Sequence, residues 1–200
     1  MLPDYADVLK CPFCGGEKEV LDLMSGNTFG GQIWSDVKKD YPMLPRVSPI
    51  QKCPVCGKYY FAKYADRRKS ENYSFEKGEL TYEQLKEAAI QFGNVLPEQD
   101  RRTLNILLLW AYNDKYNREG VELTDASEDE KKYIQAVLGD LIDGEGHDDI
   151  VEAEYLRESG RFEEALELLD KCHPEEDHLC EIVERMKSYA KEKNSIAFKI

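Results

Sequence analysis

The sequence predicts an α+β fold in two parts, with short antiparallel strands and turns through residue 70 and a wholly helical part from 71 to 200. Three observations carry the prediction. The hexapeptides CPFCGG (11–16) and CPVCGK (53–58) repeat one Cys-Pro-x-Cys-Gly pattern near the start of the chain. The interval between them is broken by Gly and Pro and rich in aromatics. After Ser70 the apolar residues recur every three to four positions, the period of a helix with one buried face.

Residues 20–24, 29–34 and 58–64 read as short strands, with Ser25-Gly26-Asn27 as a turn and Pro42, Pro45 and Pro49 as punctuation. Pieces of this size bury little core, so this part needs another source of stability. In the second part, Thr81 with Gln84 forms a capping box that opens a helix to about Phe92. Pro97 and Glu98 open the next, whose Leu104, Leu107, Leu108, Ala111 and Tyr112 make a wide apolar face. Ser127 with Glu130 caps a third carrying Tyr133, Ile134, Val137, Leu138 and Leu141, with Gly144 and Gly146 at its stop. Stretches 147–159, 162–172 and 176–192 continue the helical pattern, stacked in antiparallel pairs. At the end, Ile196, Phe198 and Ile200 alternate as in a short strand docked on the body, with a frayed tail as the other reading.

Two cysteines three apart in a tight turn direct both sulfurs to one point, and two such turns supply a tetrahedral set. Cys11, Cys14, Cys53 and Cys56 are therefore the candidate ligands of one structural Zn²⁺. The Gly after each second cysteine tolerates positive φ, so that its N–H can face a thiolate. Iron in a four-sulfur site is chemically admissible. A redox role for Cys-x-x-Cys wants a βαβ context, which is not seen, and catalytic zinc wants an open coordination position that four thiolates do not leave. Cys172, His173, His178 and Cys180 invite comparison with a second site, but adjacent Cys and His converge poorly, and packing and helix-start roles account for them.

The formal net charge is −13, unevenly placed. Residues 1–70 hold 11 basic and 8 acidic side chains, and 71–200 hold 16 and 32. An acidic body repels polyanions, which weighs against nucleic acid and anionic membrane as partners. No leader-like apolar run opens the chain, and 106–110 is far too short to span a bilayer. The expectation is a cytoplasmic protein with reduced cysteines.

The paired knuckles resemble the zinc-ribbon families, and the segment SGNTFGGQIWSDVKKDYPMLPRVSPIQKCPVCGKYY is similar to that of bacterial zinc-ribbon proteins of uncharacterised function. The resemblance covers the first third of the chain and implies a ribbon fold and no activity. The stretch AEYLRESGRFEEALELLDKC, near 147–173, resembles the tetratricopeptide repeat. Laid on that pattern, Ala153 is the small residue of a first helix, Leu156 the large one, Gly160 the turn, Phe162 the start of a second helix, Ala165 its close-packing position, and Cys172 stands where a small residue is expected. That likeness implies a surface for a protein partner.

Other polar and aromatic residues have plainer roles. Phe29, Trp34 and Tyr41 cover a small core, or else form a stacking surface. Asn27, Ser35 and Asp36 serve turns and caps, or else a polar site. His147, beside Asp148 and Asp149, opens a helix. Segment 63–69, with Lys63, Arg67, Arg68 and Lys69 beside Tyr59, Tyr60, Phe61 and Tyr64, mixes bases and aromatics as a single-strand nucleic-acid surface does, but a strand followed by a solvated basic linker is the preferred account, because the charge of the acidic body works against the other. No phosphate loop, nucleophile elbow or metalloprotease helix is present. The expected protein is a non-catalytic adaptor or scaffold that contacts a protein partner through its helices, with a nucleic-acid-associated protein as the alternative.

Overall fold

The computed structural model describes residues 1–120, 124–144 and 148–200. Short antiparallel strands occupy the N-terminal part and helices the remainder, so the chain is α+β as the pattern predicts. It divides into two compact units, Met1–Gly31 with Asp40–Leu96, and Gln32–Lys39 with Pro97–Ile200.

In the first unit, β1 (Leu2–Lys10) pairs antiparallel with β2 (Glu17–Ser25). Next in the chain come the short β3 (Gln32–Ile33) and β4 (Lys39–Asp40), of which residues 32–39 belong to the second unit; back in the first, β5 (Ile50–Lys52) and β6 (Tyr59–Phe61) form a hairpin. A 3₁₀ turn at Ala62–Tyr64 leads into β7 (Asp66–Lys69), which returns to β1 and gives the order β2-β1-β7. Tyr59, Tyr60 and Phe61 are all buried, although one face of a strand ordinarily meets water. Helix α1 (Tyr82–Phe92) explains it. Gln91 donates to the Tyr59 carbonyl at 2.7 Å and accepts from the Tyr59 N–H at 2.9 Å, so its amide pairs with β6 as another strand would. Phe92 packs on Phe61 with ring centroids 5.4 Å apart. Gly78 closes this part of the unit at φ +65°, where a Cβ would fall 1.9 Å from Gln51 Oε1. Any side chain there would be strained by the positive φ and would displace the buried Gln51 amide.

These contacts replace the junction expected at 70/71. The segment after Ser70 stays with the strands, because Ala6 N–H donates to Asn72 O, Leu21 N–H to Glu76 O and Ser48 N–H to Lys77 O, each at 2.8 Å. Residues 63–69 are likewise no linker but a turn and a sheet strand. Arg67 pairs with Asp7 at 3.1 Å, Arg68 with Glu17 at 2.7 Å, and Lys69 with Asp4 and Asp22.

The second unit is built on α2 (Glu98–Tyr112), α3 (Glu128–Ile142), α4 (Asp149–Glu158), α5 (Phe162–Leu169) and α6 (Asp177–Lys191). Each packs on the next in the chain, apolar face to apolar face. Both capping boxes form, Thr81 with Gln84 and Ser127 with Glu130. Alanine at Thr81 or Ser127 is expected to cost about 1 kcal/mol, measurable by urea unfolding. Asp148 caps α4 by accepting from the Ile150 and Val151 N–H groups; the expected roles of His147 and Gly146 lie outside the described residues. Gly160 turns the chain at φ +82° between α4 and α5. Ala153, Leu169, Val183, Met186 and Phe198 form the core, with Cys172 packed against it.

The C-terminal residues dock rather than fray. Ala197 N–H donates to Asn117 O and Glu119 N–H to Ala197 O, while Ser35 N–H donates to Phe198 O and Ile200 N–H to Ile33 O, all at 2.8–2.9 Å. Phe198 is fully buried. Residues 32–39, which lie between the knuckles in sequence, thus form part of the helical unit's own structure.

Candidate metal centre

Each knuckle is the tip of a hairpin. Residues 11–16 connect β1 to β2, whose last pair is Lys10 with Glu17, and 53–58 connect β5 to β6, closed by Lys52 with Tyr59. Their backbones match: Cys11 N–H donates to Gly16 O and Gly15 N–H to Cys11 O, as Cys53 N–H does to Lys58 O and Gly57 N–H to Cys53 O. Gly15 and Gly57 both stand at φ +72°. The positive φ is as expected, but these two N–H groups close the turns on carbonyls and do not face sulfur. The sulfurs receive other amides: Gly16 donates to Cys14 Sγ at 3.4 Å, and Val55 and Cys56 donate to Cys53 Sγ at 3.4 and 3.5 Å.

The four sulfurs converge. Cys11 and Cys56 Sγ are 3.8 Å apart and Cys14 and Cys53 Sγ 3.6 Å, with all four within 4.8 Å of one another. Four sulfurs at about 2.3 Å from one tetrahedral ion stand about 3.8 Å apart, so the spacing is that of a metal site and far from a disulfide's ~2.05 Å. Cys11 and Cys53 are buried in the core of the unit with Leu9, Val20, Tyr60 and Ala62, whereas Cys14 and Cys56 face outward.

The thiols do not ionise alike. Burial opposes charge on Cys53, but the Cys56 and Val55 N–H groups outweigh it and bring the thiol down to about 7. Cys14 is pushed up to about 12, because crowding by Cys56, burial and the other sulfurs overcome the favourable Gly16 N–H. Four negative sulfurs at this spacing repel one another, so complete ionisation requires a cation among them. The arrangement is compatible with a metal ion held by Cys11, Cys14, Cys53 and Cys56, and it leaves a four-coordinate ion no open position.

Among the described residues, no other group of three or more His, Cys, Asp or Glu side chains is close enough to hold a metal. Cys172 donates to Leu168 O inside the helical core, Cys180 donates to Pro174 O, and exposed His178 lies 3.3 Å from Glu176. Phe29 is 81% exposed while Trp34 is buried with the Arg118 guanidinium 4.4 Å from its ring, so these aromatics make no common stacking surface. Asn27 serves a turn, accepting from Phe29 N–H.

Asp36 does more than the turn role expected of it. Its Oδ1 accepts from Lys38 N–H, and its buried Oδ2 meets Arg118 at 2.9 Å and Asn113 Nδ2 at 2.9 Å. The same Asn113 nitrogen donates to Glu158 Oε2 at 2.9 Å, so one amide bridges two buried carboxyls. Asn113 opens a π-helical turn, Asn113–Asn117, that continues α2. The π-turn marks such a site in the structure, and no local pattern in the sequence announces it.

Burial, then the charges of Glu154 and Asp36, raise the Glu158 carboxyl well above the usual glutamate range, against the pull of Arg157 and Asn113. Asp36 is raised by burial against the pull of Arg118. A carboxyl raised in the fold stabilises it fully below its unfolded value and loses that contribution as pH climbs through the folded value. Glu158→Gln is therefore expected to gain on the parent protein steadily above about pH 4.5, with a shallower slope retained from Asp36. Urea midpoints across the pH range read this; parallel curves for the two proteins would disprove the neutral carboxyl.

Comparison with protein-family models, curated proteins and solved structures finds no match to the chain. The functional reading therefore rests on the chain's own chemistry.

Proposed function

We propose that the chain is a zinc-stabilised, non-catalytic cytoplasmic adaptor or scaffold whose helical unit contacts a protein partner. The observation that carries it is the closed four-sulfur cluster at two hairpin tips, which suits a structural Zn²⁺ and offers no position for a reacting water. The thiolates of Cys11, Cys14, Cys53 and Cys56 would hold the ion, which would cross-link the two hairpins. The helical pair α4 and α5 supports the tetratricopeptide-like reading: Ala153, Leu156 and Ala165 are buried and Gly160 makes the turn. No helix among the described residues is long and apolar enough to cross a membrane.

The alternative nucleic-acid reading has less support. Arg67, Arg68 and Lys69 already face carboxylates, and Tyr59, Tyr60 and Phe61 are buried, leaving little for phosphates or bases to meet.

Native mass spectrometry of protein purified without added metal should find one zinc per chain, and crosslinking in its native host should join the α2–α6 region to a protein. Iron at the site, or crosslinks to nucleic acid alone, would refute the reading.

A further inference from the structure

We propose that the Tyr60 hydroxyl donates a hydrogen bond to the Cys11 thiolate and so serves as a positioning residue of the metal centre. The inference rests on the reading of the four-sulfur cluster as a metal site. Tyr60 is the middle residue of β6 and is 2% exposed, and its hydroxyl has no hydrogen-bond partner among the described residues. A buried hydroxyl without an acceptor is costly, so such a group marks an internal water or an acceptor that a bound species completes. Tyr60 shares its core cluster with Leu9, Cys11, Val20, Cys53 and Ala62, and Val47 and Ala65 pack against it. In that cluster only the two sulfurs can accept through a side chain.

Of those two sulfurs, Cys11 is the one that lacks a donor. The knuckles match in backbone, yet Cys53 Sγ receives the Val55 and Cys56 N–H groups and Cys14 Sγ that of Gly16, while no N–H or O–H among the described residues donates to Cys11 Sγ. Cys11 is buried, so bulk water does not make up the difference. With an ion bound it carries a thiolate, and a buried anion needs hydrogen-bond donors. A buried donor without an acceptor and a buried sulfur without a donor thus share one cluster. Burial, then the Cys11 sulfur ahead of those of Cys53, Cys56 and Cys14, pushes the Tyr60 hydroxyl up to about 12, so it keeps its proton and feels Cys11 most. The rival acceptor is Gln51 Oε1, also buried and unpartnered, on the residue opposite Tyr60 in the β5–β6 ladder; it lies against Gly78. A donor at the thiolate draws electron density from the sulfur and fixes its orientation toward the ion.

The test loads the full chain and its Tyr60→Phe variant with Co²⁺ and records the sulfur-to-metal charge-transfer band, with zinc affinity measured on both by competition with a chelator. Phenylalanine keeps the ring and removes only the hydroxyl, and Val20→Ala serves as a packing control in the same core. The expected result is one ion per chain in each protein, a band moved to longer wavelength in Tyr60→Phe as the sulfur becomes the better electron donor, and zinc affinity lowered by about tenfold or more. Val20→Ala, which removes core contacts and no hydrogen bond, should leave the band where the parent has it. Three results would overturn the proposal: band and affinity unchanged in Tyr60→Phe; lower stability to urea with the band unmoved, which would give the hydroxyl to Gln51; or the same band shift in Val20→Ala, which would make it an effect of packing. A parent protein that binds neither Co²⁺ nor Zn²⁺ refutes the metal centre and the proposal with it, whereas a bound ion with an unmoved band refutes the role of Tyr60 alone.

Discussion

Replacing Cys53 and Cys56 together with serine is expected to abolish metal binding and unfold Met1–Gly31 with Asp40–Leu96, while α2 to α6 keep their structure. The reason is the division of labour in the core. Cys11 and Cys53 are themselves core residues of the first unit, packed with Leu9, Val20, Tyr60 and Ala62, so the ion would sit where a larger domain places its leucines and isoleucines. Apparent binding free energies for structural zinc are about 10–16 kcal/mol at neutral pH, comparable with or larger than the whole stability of an ordinary domain. The double variant loses half the ligands and so nearly all of that contribution. Circular dichroism should lose the strands and the 11 residues of α1 but retain the helical signal of the second unit. Chelation of the wild-type protein should give the same spectrum. A cooperative loss of all helix would show that the second unit does not stand without the metal, and an unchanged spectrum would show that the first unit folds on its apolar contacts alone. Proton competition adds a further expectation: because Cys14 is pushed up to about 12, metal binding must release protons, and affinity should fall steeply as pH drops.

Arg157→Ala is expected to be the most damaging single change in the helical unit, at about 3–5 kcal/mol. Arg157 is fully buried, and its fork binds Glu154 through both oxygens, at 2.9 and 2.6 Å. It also donates to Asn194 O at 2.6 Å and Ile196 O at 3.0 Å, and its guanidinium lies 5.3 Å from the centre of the Phe198 ring. One side chain thus holds α4 and the docked C-terminal segment together. Alanine leaves a buried carboxylate without its cation and two carbonyls without donors, which is the costly way to break such a pair. Lysine keeps the charge and loses the fork, so it should restore little. Arg157→Met with Glu154→Leu removes both charges at similar volume and should recover much of the loss. Urea unfolding of the four proteins separates these cases. A cost under about 1 kcal/mol for alanine would mean that water or a rearranged tail satisfies Glu154.

Much of the architecture was legible along the chain because its signals are local. A capping box needs four consecutive residues, and both Thr81 with Gln84 and Ser127 with Glu130 form as read. The same holds for the knuckles, whose six residues set their own turns, and repetition of the motif brought four sulfurs into a single reading. The clustering of Cys11, Cys14, Cys53 and Cys56 within 4.8 Å agrees with it. The failures share the opposite property. Residues 63–69 looked like a linker because their charges are solvent-facing, but strand pairing with β1 depends on backbone groups that composition does not reveal. Nothing local to Gln91 announces that its amide meets the edge of β6.

By itself, then, the sequence determined where the helices begin, where the hairpins turn, and which four side chains could share an ion, since each depends on neighbours in the chain or on a repeated motif. Only the tertiary structure decided that α1 belongs with the strands, that 32–39 belongs with the helices, and that Asp36, Asn113, Arg118 and Glu158 meet in one buried network. Charged residues of that kind are ordinarily solvated, and nothing near them in the chain says otherwise. Their partners lie up to 82 positions away. Burial of a charge is tolerated only when folding delivers its partner, and that delivery is a property of the packed molecule.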